Sequence, residues 1–150
     1  MSTPSLFVQA DREALLARIA ALRPDAQRRW GKLDAPRMLA HCQEPLRVAL
    51  GDLKLKRGLI GILFGGMAKK KLLSDKPWDP GMPTAPEFKV AGSGDFARER
   101  DQLLALVKRF SGGPSVLTRE PHPFFGVLTT EQWDTLQWKH LDHHLRQFGG

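Results

Sequence analysis

Near its C-terminus the chain reads KHLDHHLRQFG, Lys139 to Gly149, and three of its five histidines fall inside that run. Imidazole binds transition metals and moves protons near neutral pH, so the spacing decides what such a cluster can do. At about 100° per residue, His140 and His144 lie about 40° apart on a helix, one turn stacked on the next. Two ring nitrogens at that i, i+4 spacing can share one metal ion. His143 falls about 60° to the other side of His140, near the edge of a stripe that includes Trp133 and Leu136. That angle suits a supporting role or the rim of a site. Gln147 lies near the angle of His140 and reads either as a donor to a ligand or water, or as a surface amide.

A third ligand must come from elsewhere, and His41 in MLAHCQ is the obvious source. Met38, Pro45 and Val48 are nearest to it on the wheel, which sets His41 at an edge of its apolar stripe, as a pocket wall requires. Three neutral imidazoles leave coordination positions open for water or substrate, as in a reactive rather than a closed structural site. The competing reading is three hydrogen-bonded core histidines. Burying them without a common partner would leave several ring nitrogens to satisfy, which is costly. Glu44, at the edge of the His41 face, reads as an outer acceptor or general base, or as solvated surface. His122, between the prolines of PHPFFG, reads as turn-setting or pocket-lining. Cys42 lies about 100° round from His41 and reads as a small packed hydrophobe.

Four helices can position these groups. The first runs from about Asp11 to Arg23, with Leu15, Ile19 and Leu22 at helical steps. The second starts at the N-cap Asp34 with Pro36 in its first turn and ends at Leu50 before Gly51. Pro45 lies inside it, which predicts a kink. The third spans about Asp95 to Phe110 and stops at Gly112-Gly113-Pro114. The fourth opens at Thr129, with Gln132 completing a capping box, and runs to Phe148. Two connections are long. Between Gly51 and Gly92 the chain passes through GLIGILFGGM, AKKK and DKPWDPGMPTAPEF, where short helical turns are expected. Four glycines weaken any helix in GLIGILFGGMAKKK, so this patch is expected to pack over one end of the bundle rather than lie on a membrane surface.

The chain has 150 residues and a net charge of +7, with 41% hydrophobic and 26% charged residues. This predicts one globular domain over 1–150. A single cysteine excludes an internal disulfide and points to the cytoplasm. The N-terminus does not read as a signal peptide, and no apolar run is long enough to span a membrane. Much of the charge lies in KLKRG and AKKK, between Lys54 and Lys71. These read as solvated loop, or as an anion-binding patch built on Lys69, Lys70 and Lys71. No nucleic-acid module accompanies them, so no nucleic-acid partner is expected.

HLDHHLRQ resembles the His-x-x-His-His-x-x-Gln signature on the last helix of DinB-like proteins. RRWGKLDAPRMLAHCQE resembles their second-helix segment, in which a tryptophan precedes a helix bearing the other metal histidine. HPFFGVLTTEQWDTLQWKHLDHHLRQFG is very similar to the closing segment of a bacterial domain-of-unknown-function family within that superfamily. The resemblance implies an all-α, DinB-like antiparallel four-helix bundle with unusual connectivity, in which the two long connections read from the sequence are the long crossover connections. It implies a divalent metal, zinc or nickel, on His41, His140 and His144, while His143, Gln147, Glu44 and His122 stay supporting or pocket residues by wheel angle and loop position alone. Some such relatives are thiol S-transferases, in which the metal activates a low-molecular-weight thiol. The long basic and glycine-rich insert departs from the compact pattern. The expected function is therefore metal-dependent thiol transfer or hydrolysis, with a small molecule or thiol as partner and a homodimer left open. The alternative is a non-catalytic metal- or ligand-binding protein of stress-associated role.

Overall fold

Within residues 3–80 and 94–150, which the computed structural model describes, the chain forms five α-helices and no strand beyond an isolated bridge between His122 and Gly126. They are α1 (Gln9–Ala21), α2 (Ala35–Ala49), α3 (Leu59–Leu72), α4 (Phe96–Phe110) and α5 (Thr130–Gln147). Local chemistry starts three of them. The Asp34 carboxylate accepts from the Arg37 N–H, and Asp95 accepts from the Arg98 N–H. At α5 the Thr129 hydroxyl accepts from the Gln132 N–H while the Gln132 side chain accepts from the Thr129 N–H. Each cap of this kind contributes about 1 kcal/mol. α1 begins two residues earlier than its apolar spacing predicts and has no side-chain cap. α2 continues through Pro45 to Ala49.

The chain is an all-helical bundle. α2 packs on α4 and α5, and α1 packs on the same two. Helices adjacent in sequence, α1 with α2 and α4 with α5, thus face each other across the diagonal. Leu15 and Ile19 of α1, Leu39 and Leu46 of α2, and Leu103 and Phe110 of α4 meet in the core. Each such side chain removed from water contributes about 1.5–3 kcal/mol. The N-terminal segment is tied to α5: the Ser5 hydroxyl and the Leu6 N–H both donate to the Asp134 carboxylate, at 2.6 and 2.8 Å. Leu6 is fully buried, and Phe7 stacks on Phe110.

α3 corrects the expectation for GLIGILFGGMAKKK. A continuous 14-residue helix stands there, and the lysines of AKKK form its last turn rather than a solvated loop. The glycines explain both the expectation and its failure. Gly61 and Gly65 lie one turn apart and press against the backbone at Phe124, so that a methyl at Gly65 would overlap the Phe124 carbonyl. Helix propensity is given up to let two backbones touch. The proline-rich stretch that follows runs in part through residues 81–93, outside the described residues. No helix among the described residues is long and apolar enough to cross a membrane.

Candidate metal centre

α2 and α5 run antiparallel, because the chain just before α2 is bonded to the end of α5: the Arg29 N–H donates to the Gln147 carbonyl at 2.7 Å. This sets His41 opposite His140 and His144. The Nε2 atoms of His41 and His140 stand 3.0 Å apart, and the three rings have centroids 4.6 to 4.8 Å from one another. One ring nitrogen from each of the three lies within 4.8 Å of the others. Two imidazole nitrogens at 3.0 Å cannot both carry a proton, so at least one lone pair points into the gap.

The tautomer of His144 follows from its neighbours. The Gln147 amide nitrogen donates to the Trp30 carbonyl at 2.8 Å, which turns its oxygen toward His144. His144 Nδ1 lies 2.8 Å from that oxygen and must donate to it, leaving Nε2 as the nitrogen with a free lone pair. Gly31 makes the approach possible. Its φ is +79°, and a Cβ there would stand 2.7 Å from the Gln147 amide nitrogen.

Electrostatics keep the His140 and His144 rings neutral. Burial pushes His140 well below the ordinary histidine value, and the neighbouring charges of His144, His41 and His143 push the same way. Burial, followed by the charge of His41, pushes His144 down to about 3. A neutral imidazole is the form that binds a metal. His140 also has a buried Nδ1 with no partner among the described residues. Converging ring nitrogens, one of them oriented from behind, fit a divalent cation better than they fit a self-sufficient core.

The remaining candidates divide. His143 is buried between Trp30 and Trp78, with ring centroids 5.5 and 5.9 Å away, and does not join the converging nitrogens. Gln147 is buried and holds His144, so it is no surface amide. Glu44 is half-buried, and desolvation raises its carboxyl pKa. His122 is committed to its turn, where Nδ1 accepts from the Phe124 and Phe125 N–H groups and the ring packs on Phe125 and Trp133. Cys42 is fully buried with its thiol pKa raised by desolvation, and packs beside Met38 as a small hydrophobe.

Sequence reasoning missed Trp78 and Lys139. Trp78 lies against both His140 and His143, and its indole N–H donates to the Leu72 carbonyl at the end of α3. Lys139, buried on α5, donates to the Ser74 and Lys76 carbonyls and so pins the segment that carries Trp78. A Lys-His pair adjacent in sequence carries no signal of this, because the partners are backbone carbonyls more than sixty residues away. A cleft of about 240 Å³ is lined by Trp78 together with Trp138, Lys139, Asp142 and Arg146, and by none of the three converging histidines.

Fold and site together define an all-helical bundle in which two facing helices bring three histidines close enough to hold a metal ion. The chain matches, over residues 5–149, the family described as protein of unknown function (DUF1569), and belongs to it. No curated protein and no solved structure matches it.

Proposed function

We propose that this is a DinB-like metal protein in which residues 1–150 form one domain and His41, His140 and His144 hold a divalent cation, zinc or nickel. The observation that carries the reading is the 3.0 Å approach of the His41 and His140 Nε2 atoms, with His144 oriented toward them by Gln147. Nitrogens bound to one zinc at about 2.0–2.1 Å stand roughly 3.3 Å apart in a tetrahedral set, close to that approach. A bound cation lowers the pKa of a coordinated thiol or water and so supplies an anionic nucleophile near neutral pH. Thiol S-transfer is the proposed reaction, with hydrolysis as its close relative.

The protein's own residues set the surroundings. Gln147 keeps His144 in the metal-binding tautomer. Trp30 and Trp78 flank His143, and Trp78 also packs on His140, which sets apolar rings beside the site. Glu44, one turn on from His41 and raised in pKa by burial, is the carboxyl proposed to accept the proton of an incoming thiol. A cytoplasmic setting, in which Cys42 stays reduced, suits this chemistry.

One observation favours a second reading. The neighbouring cleft is not lined by any of the three histidines, which suits a protein that holds its metal without turnover. Titrating low-molecular-weight thiols into the cobalt-loaded protein separates the two. A thiolate-to-cobalt absorption band, followed by transfer of the thiol to an added alkylating electrophile, is expected of the enzyme. A band without transfer marks a binder, and no band with any thiol removes thiol chemistry altogether.

A further inference from the structure

The outward side of α3 has no role in the metal site. Gly61, Gly65, Ala68 and Leu72 form one stripe of this helix, and the two glycines seat it on the Pro123–Phe125 backbone. On a helical wheel Leu59, Leu63 and Met67 point the opposite way, and Ile62 lies on the flank about 90° from the stripe. Together with Phe64 they are 52 to 73% exposed, and Val127, whose carbonyl accepts from Lys69 at the end of the helix, is 76% exposed. Scattered apolar residues on a surface are normal, but this many on the outer side and flanks of one short helix form a patch that needs a partner.

Charge says which partner. Lys54, Lys56 and Arg57 precede the patch and Lys69, Lys70 and Lys71 follow it, while no acidic residue occurs from Lys54 through Leu72. All of these cations except Lys69 are exposed. Lys69 donates to the Val127 carbonyl at 3.1 Å and fixes the end of the helix beside that apolar residue. Asp52, the nearest acid on the N-terminal side, is already engaged by Arg109. A helix with an apolar outer face and cations at both ends matches the plane of an anionic bilayer, where side chains enter the acyl boundary and ammonium groups meet phosphates. A second copy of the chain would set cations against cations. A nucleic acid would leave the apolar side chains facing phosphate.

We propose that α3 is an interfacial membrane-docking helix: Leu59, Ile62, Leu63 and Met67 enter an anionic lipid surface and the flanking lysines and arginine hold its headgroups. The inference is independent of the metal. It is tested by sedimenting the full chain with vesicles of phosphatidylcholine alone or mixed with phosphatidylserine, for wild type, Leu63→Glu/Met67→Glu and Lys70→Glu/Lys71→Glu. Wild type is expected to pellet with the mixed vesicles only, and each double variant to lose binding by about tenfold or more with unchanged helicity. Leu59→Trp keeps the face apolar, and its added emission should shift blue and be quenched by brominated acyl chains. Wild type left in the supernatant with anionic vesicles overturns the proposal, as does emission from the added tryptophan that vesicles do not change. Binding that survives Leu63→Glu/Met67→Glu overturns it too, by reducing the contact to charge alone. Self-association abolished by that variant without any lipid binding would identify a second copy instead.

Discussion

Gln147 does for His144 what no feature of the triad itself can do: it fixes which nitrogen carries the proton. Gln147→Leu removes that acceptor and leaves the Trp30 carbonyl unpaired, so metal affinity should fall about 10–100-fold in competition with a chromophoric chelator. Unchanged affinity would show that His144 needs no orientation. Gly31→Ala should act in the same direction, since a Cβ at φ +79° meets the same amide. His122 gives a second residue-level expectation. Burial, followed by the charge of Arg57, lowers its pKa from 6.5 to about 4. Between those values the unfolded chain binds a proton that the folded chain refuses, so stability falls as pH drops through that window. The integrated loss is on the order of 3 kcal/mol. Chemical denaturation at pH 7 and pH 4 should show wild type losing more than His122→Gln by about that amount, and equal losses would contradict the assignment.

The elements were unequally legible. Asp34, Asp95 and Thr129 act within three residues of themselves, and a cap of that kind can be read straight from sequence. α3 could not be read, because its glycines are chosen for contact with a loop some sixty residues away rather than for helix propensity. Gly65→Val should therefore lift α3 off the Phe124 backbone. Hydrogen exchange in Leu59–Leu72 is expected to speed up while α2, α4 and α5 stay protected, and uniform exchange across all helices would mean that α3 is part of the cooperative core. The segment after α3 offers a parallel test. Lys139→Met deletes the charge-assisted bonds that hold Trp78 over the histidines. Metal dissociation, followed by transfer to a chelator, should accelerate about tenfold, since such a bond is worth roughly 1.5–3 kcal/mol. An unchanged rate would show that Trp78 does not gate the site.

At the scale of the whole molecule, the all-helical bundle and the pairing of His41 with His140 and His144 were both legible, because an i, i+4 spacing on one helix and an edge position on another limit where those rings can point. The helical periods could not show the diagonal placement of helices adjacent in sequence, which depends on which apolar faces meet. Nor could the wheel show that Gln147 is buried, because its partner is the Trp30 carbonyl at the far end of a loop. The most direct measurement is elemental mass spectrometry on untagged protein purified without chelator, as wild type and as His140→Ala, with circular dichroism to check that both are folded. The expected result is about one equivalent of a divalent transition metal in the wild type and almost none in the folded variant. Folded wild-type protein that carries no metal, and takes up none when zinc or nickel is supplied, would contradict the site.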